Sequence, residues 1–215
     1  MKRALLCLLP LAACAAEPDP SGGGDKLGAA DPAWVEGARL ASEAYAGWGR
    51  VDEPARWAPT MCVAPPPPAR ARRSASADGA THGRKLYSLF AKDRAAYTDE
   101  GRAEAPVGQV LAKEAWIPVE VEASELPARY PEVWPEDLED GWLPYATGED
   151  GRTWRASERG PLFLMMKLDP ETPGTDQGWI YATVEPGGEV TSAGAMESCM
   201  ECHRAAQRDR QFGLP

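Results

Sequence analysis

The sequence predicts an α+β fold: a mainly antiparallel β-sheet with an N-terminal helix and a short C-terminal helix. Three observations carry this expectation. Gly and Pro number 21 each in 215 residues, which leaves little room for the long uninterrupted helices of an all-helical bundle. Apolar and β-branched runs alternate with turn-forming clusters through the second half of the chain, as separate strands do. Helical periodicity is confined to one early stretch, and a final run without Gly or Pro reads as a short terminal helix. Hydrophobic residues make up 43%, with 8 Trp, 6 Tyr and 3 Phe, enough to build one core and to argue against global disorder.

The first segment reads as an address. Met1-Lys2-Arg3 is basic, and residues 4–13 are apolar but too few to span a bilayer. Leu11-Ala12-Ala13-Cys14 has the form of a bacterial lipobox, which predicts a signal peptide over 1–13 and lipidation of Cys14. Cleavage by ordinary signal peptidase near Ala13 or Ala16 is the alternative. Ala15, a residue other than Asp after the Cys, points to the periplasmic side of the outer membrane. Each buried methylene of an acyl chain contributes about 0.8 kcal/mol, so a multiply acylated Cys14 is a firm anchor. Residues 14–31, rich in Pro, Gly, Ser and Asp, read as a tether. The formal charge of −10 argues against nucleic acid, whose phosphates need clustered cations.

Trp34, Ala38, Ala41, Tyr45 and Trp48 recur at three- and four-residue steps behind Asp31-Pro32, an N-cap followed by an N1 proline; a helix over 32–47 follows. Residues 50–80 lack periodicity. They hold four consecutive prolines, Pro65 to Pro68, then Arg70, Arg72 and Arg73, and read as a polyproline stretch and a loop wrapped on the surface. The remaining domain, 81–215, begins with a strand over 84–91 and a short helical turn over 92–97. A long strand over 107–121 follows, with a bend expected at Pro118. Residues 141–160 are turn-rich, with a loop tip at 148–151. Strands over 162–168 and 179–184, a tight turn at 186–189 and a terminal helix over 196–210 complete the chain.

Cys199-Met200-Glu201-Cys202-His203 carries the chemistry. A C-x-x-C-H sequence marks covalent attachment of a c-type haem. One helical turn between the thiols lets both reach the vinyl groups on one porphyrin edge, while the adjacent His203 reaches the iron. A thioredoxin-like site would need a βαβ context ahead of it. A zinc site would need a second ligand pair, for which only His82 and Cys62 remain. A Cys199–Cys202 disulfide would close a small strained loop. Export favours haem, since haem c is attached outside the cytoplasm. One covalent haem c per chain is therefore expected, with His203 on iron and thioethers at Cys199 and Cys202. Residues 204–215 contain no Met or His, so the chain before Cys199 must build the opposite wall of the pocket.

On these residues the chain resembles the cytochrome P-460 family, which includes the β-sheet cytochromes c′. The resemblance runs from about Thr81 to Arg210. It rests on Lys85-Leu86-Tyr87-Ser88-Leu89-Phe90, on Pro106-Val107-Gly108-Gln109-Val110-Leu111-Ala112-Lys113-Glu114, on Gly178-Trp179-Ile180-Tyr181 and on the late C-x-x-C-H. It implies one c-type haem on an antiparallel sheet, five-coordinate iron and a homodimer. It also implies a strand lysine at the haem edge, covalently linked to the porphyrin in hydroxylamine-oxidising members; Lys113 matches that position. To act as a nucleophile Lys113 must be neutral, which burial favours. A strand lysine on a solvated face is the plain alternative.

Those members also carry a carboxylate above the iron. Here the corresponding strand, 162–168, holds no Asp or Glu before Asp169, an apolar wall suited to small neutral ligands such as nitric oxide. Two classes of function stay open: oxidation of hydroxylamine or a related small nitrogen compound, and a non-enzymatic haem protein that binds a gas ligand or passes electrons to a partner. Met165 or Met166 would be a sixth iron ligand or core filler. His82 would be a ligand or, as its place beside Gly83 favours, a loop or capping residue. Cys62 reads as a buried thiol or a link between subunits, and Phe90 and Trp116 as core.

Overall fold

The structure is a computed structural model and describes residues 30–51, 71–74, 82–125, 144–147, 150–206 and 208–212. The signal segment, Cys14, the tether as far as residue 29, Cys62 and the proline run lie outside the described residues. Among the described residues seven strands form one antiparallel sheet: β1 (Arg72–Arg73), β2 (Leu86–Ala91), β3 (Val110–Val121), β4 (Tyr145–Thr147), β5 (Thr153–Lys167), β6 (Trp179–Val184) and β7 (Val190–Gly194). Their order is β1-β2-β3-β5-β6-β7, with β4 paired to β5. Among the described residues three short α-helices accompany it: α1 (Pro32–Ala44), α2 (Arg94–Thr98) and α3 (Glu197–His203). No described helix is long and apolar enough to cross a membrane.

Helix α1 starts where the sequence predicts, with the Asp31 carboxylate accepting from Ala33 N at 2.8 Å and Pro32 in the first turn. It tightens into a 3-10 turn over Tyr45–Trp48 and stops at Gly49, whose φ of 82° is open to glycine at little cost. Its apolar stripe is the expected one. Ala38, Ala41 and Tyr45 are buried against Phe90, Ala112, Leu164, Met166, Ile180 and Ala182, with Trp34 and Trp48 packed at the margin. Tyr45 Oη closes the helix end by donating to Glu114 Oε1 at 2.7 Å.

The strands differ from expectation in instructive ways. β2 begins at Leu86, two residues late, because Arg84 takes a left-handed φ of 56° in the turn that enters it. β3 begins at Val110 because Gly108, φ 89°, turns the chain first. Its ladder with β5 shifts register between Glu114 and Trp116 and again between Ile117 and Pro118, so the bend at the proline is present. The turn-rich reading of 141–160 is corrected for 153–160, where β5 runs unbroken from Thr153; the turn at 150–151 is present. Trp154 and Ala156 are buried while Ser157, Glu158 and Arg159 stand outward, and Gly160 lets the strand pass Ala115 O, which an added Cβ would approach to 3.3 Å. Arg72 and Arg73, expected in a surface loop, form the edge strand β1 on β2. Strand β7 follows the expected turn at 186–189, whose Glu185 N donates to Glu189 O at 2.8 Å.

The terminal helix is also shorter than 196–210. It ends at His203, and the tail turns back through Asp209 and Arg210, both with positive φ, closing a bridge between Arg208 and Gln211. Buried charge holds this reversal. Asp209 Oδ1 accepts from Lys167 Nζ and from Trp179 Nε1, each at 3.0 Å, and its Oδ2 accepts from Ala105 N at 2.8 Å. Tyr97 Oη donates to Phe212 O at 2.9 Å.

Candidate functional site

Strand alternation sends Leu89, Lys113, Phe163 and Thr183 to the sheet face away from α1. They are cross-strand neighbours in one row on β2, β3, β5 and β6. Two residues along, Leu111, Met165 and Tyr181 form the adjoining row. These two rows floor a cleft. Its other wall is His82 in the turn before β2, Cys199 and His203 on α3, and Phe212 in the tail. The space between these walls, open mouth included, is about 730 Å³. Its surface is overwhelmingly apolar.

The structure therefore brings together three of the expected residues, Cys199, His203 and Lys113. Cys202 stands one turn along α3 from Cys199 and is exposed; neither sulfur is in a disulfide. The two thiols and the imidazole share one short helix, so a single guest seated on the sheet can meet all three. Among the described residues, His, Cys, Asp and Glu nowhere gather in threes to hold a bare metal ion.

His203 is held in one tautomer. Its Nδ1 lies 2.6 Å from Arg210 O. A carbonyl only accepts, so Nδ1 carries the hydrogen and Nε2 keeps its lone pair, the arrangement of a metal-ligating imidazole. Burial lowers its pKa, with the Lys113 charge adding to that effect and the bond to Arg210 opposing it. The Arg210 carbonyl is itself positioned: its guanidinium makes two bonds of 3.0 Å to the two oxygens of Asp176, and Tyr181 Oη donates to Asp176 Oδ2 at 3.0 Å. Burial opposes ionisation of Asp176, but the bonds from Arg210 and Tyr181 hold its carboxyl below the usual range. Burial first, and Asp176 next, raise the Tyr181 phenol, so it stays a donor. The rings of Tyr181 and Phe212 flank His203 at 5.3 Å each.

Lys113 sits on the cleft floor rather than on a solvated face. Burial, then the charge of Lys85, push its pKa down to about 8. Its Nζ lies 3.1 Å from His82 Nδ1 and 4.0 Å from the centre of the Tyr87 ring. The ring contact favours the ammonium and works against the burial effect.

Several residues of the site were not found by sequence reasoning. His82, expected as a ligand or a loop or capping residue, lies in the turn before β2; what the sequence did not show is that its ring packs edge-on against Phe163 at 5.5 Å and stands 6.2 Å from the His203 ring. Its signal was being the one histidine outside the motif. Phe163 and Tyr181 follow from strand period and register once Lys113 is placed. Asp176, Arg210 and Phe212 carry no local signal. Met165 lines the cleft, whereas Met166 lies in the core beneath α1. Phe90 is core, as expected, and Trp116 packs against a third cluster around Trp154. Compared with protein-family models and with curated protein sequences, the chain finds no match in either.

Proposed function

We infer that the chain is an exported, lipid-anchored protein of the cytochrome P-460 kind, carrying one haem c. Cys199 and Cys202 would hold the porphyrin through thioethers and His203 would bind iron through Nε2. The observation that carries the reading is the orientation of His203: its Nδ1 is committed to a backbone carbonyl at the mouth of an apolar cleft that Cys199 also lines. A helix bearing two thiols and this imidazole, facing a sheet of aliphatic and aromatic side chains, fits a flat, largely apolar guest. When bound, the haem supplies a redox-active iron that takes up diatomic ligands or electrons.

What the chain's own residues do favours binding or electron transfer over substrate oxidation. Leu89, Leu111, Phe163 and Met165 line the cleft and exclude water, and no carboxylate is among the described lining residues. Such a wall suits a neutral gas ligand or an electron-transfer haem. Lys113 favours the second reading, oxidation of hydroxylamine or a related small nitrogen compound. An amine with a pKa of about 8 is partly neutral near physiological pH and is available as a nucleophile toward a porphyrin edge. The anchor at Cys14, the outer-membrane location and the homodimer belong to the same proposal.

The test is maturation in a host with c-type haem machinery, followed by a pyridine haemochrome assay. One covalent haem per chain is expected, lost when Cys199 and Cys202 are both replaced by Ala. A colourless secreted chain overturns the proposal. Turnover of hydroxylamine together with a red-shifted ferrous Soret band, both abolished by Lys113→Ala, would select the second reading.

A further inference from the structure

Two tight turns are tied together beside His203. One spans 176–179 and leads into β6; the other spans 208–211 in the tail. In each, both central residues have positive φ: Gln177 at 53° and Gly178 at 86°, Asp209 at 39° and Arg210 at 65°. This is the pattern of a type I′ turn, which suits glycine, asparagine and aspartate and disfavours arginine. Such a conformation persists only where the surroundings over-determine it. Here they do. Lys167 Nζ donates to Gln177 O in the first turn and to Asp209 Oδ1 in the second, each at 3.0 Å. The Arg210 guanidinium reaches from the second turn to the first and grips both carboxylate oxygens of Asp176 at 3.0 Å. Asp176 is 7% exposed, and its backbone exchanges hydrogen bonds of 2.9 and 3.0 Å with Trp179. What the two turns hold in place is Arg210 O, 2.6 Å from His203 Nδ1. With its φ set by the turn and its guanidinium tied back, Arg210 has little freedom to swing that carbonyl elsewhere.

We propose that Asp176 is a positioning residue for the iron ligand: by fixing Arg210 it aims the acceptor of the His203 Nδ1 hydrogen, and so sets the strength of the iron–His203 bond and the potential of the site. The inference rests on the reading that Cys199, Cys202 and His203 hold a haem, and it deepens that reading. A firmly placed acceptor draws the Nδ1 proton outward and leaves more electron density on Nε2. A more basic imidazole binds iron more strongly and favours the ferric state. An acceptor free to swing away does the opposite. Asp176 acts on the imidazole through Arg210. Tyr181, which donates to Asp176 Oδ2 at 3.0 Å and whose ring flanks His203, steadies the carboxylate from the cleft side.

The experiment uses the full chain matured with haem. Resonance Raman gives the iron–histidine stretching band of the ferrous protein, NMR gives the solvent exchange of the His203 Nδ1 proton, and a redox titration gives the midpoint potential. Asp176→Asn keeps the shape of the side chain and removes the two-oxygen grip. Arg210→Gly removes the guanidinium but suits the positive φ, so the turn remains. In both variants the stretching band is expected to fall and the Nδ1 proton to exchange faster. The ferrous state is expected to gain about tenfold, which is about 59 mV for one electron. The two variants separate aim from charge. By charge alone, loss of a carboxylate and loss of a guanidinium move the potential in opposite directions, whereas loss of aim raises it in both. The proposal is overturned if the potentials move oppositely, if the stretching band stays at its native frequency, or if the Nδ1 proton exchanges at the native rate in either variant. If Asp176→Asn fails to mature, Tyr181→Phe takes its place; it changes no charge, loses the bond to Asp176, and is expected to shift each readout in the same direction by less. A chain with no covalent haem removes the haem reading and this proposal together, whereas a haem-bearing chain whose variants behave as the native protein removes only the role of Asp176.

Discussion

On one face of the sheet, α1 lies across β5, β6 and β7 and covers Phe90, Ala112, Leu164, Met166 and Ile180 with an apolar stripe of its own. On the other, the cover is a seven-residue helix and a reversed tail, fastened by charge: Asp209 to Lys167, Arg210 to Asp176. The same strands supply both faces. Along β5, Met165 and Met166 are neighbours and equally buried, at 9% and 7% exposure, but one lines the cleft and the other is core. Along β3, Lys113 faces the cleft while Glu114 meets Tyr45 and Arg159 at the end of α1. Apolar area is non-directional and suits a face that needs only to close. Ion pairs and hydrogen bonds are directional, and on the cleft side they fasten the cover itself and orient the His203 imidazole.

If that contrast is right, the largest effect belongs to Asp209. Its partner Lys167 has a side chain only 3% exposed, and Asp209 also accepts from Trp179 and Ala105. Removing one member of a buried pair leaves a charge without compensation, which costs about 3–5 kcal/mol. Asp209→Ala is therefore expected to lose stability of that order in urea unfolding. A loss under about 1 kcal/mol would mean that the tail is held by something other than charge, and the distinction between the faces would fail.

Next comes the methionine pair. Met166→Ala empties a packed position and is expected to cost about 2–5 kcal/mol. Met165→Ala enlarges a cleft that is already open, so less packing is lost, and the expected cost is about half as much. Urea midpoints of the two variants give the comparison. Equal losses would show that the cleft floor is packed as tightly as the core.

How much of this was legible follows from the range of the interactions. Helix α1, strand β6 and the turn at 186–189 are written locally, in Asp31-Pro32, in the run Trp179 to Val184 and in Pro186-Gly187-Gly188. The motif announced Cys199, Cys202 and His203 as a set, and the family resemblance singled out Lys113. The first half of β5 was missed because Arg155, Glu158 and Arg159 make it look like a loop; its pairing with β3 and β4 overrides that local polarity. The end of α3 was missed because no Gly or Pro marks it. The reversal at Asp209 and Arg210 is imposed by Lys167 and Asp176, groups more than thirty residues away. The turn that holds His82 was legible, but its neighbours in space, Lys113, Phe163 and His203, were not, because they lie on three other elements.

The smallest expected effect tests the electrostatic side of the contrast, and it concerns the haem-free chain. In the unfolded chain Lys113 holds its proton up to about pH 10.5; in the folded chain burial and Lys85 bring that value to about 8. Below pH 8 both states are protonated and the folded state bears the full burden of a buried ammonium. Between pH 8 and 10.5 the unfolded state binds more protons, so stability rises with pH across that window. A shift of this size corresponds to at most about 3 kcal/mol, and the Tyr87 ring, 4.0 Å from Nζ, reduces it; a rise of about 1–2 kcal/mol is expected. Lys113→Met should be more stable than the native chain at pH 7 and should flatten the rise. The reading is the difference between the two urea profiles from pH 7 to 10, which cancels other groups titrating in the same range. If the profiles run parallel, the Lys113 ammonium is solvated in the cleft, and the two faces differ in packing alone.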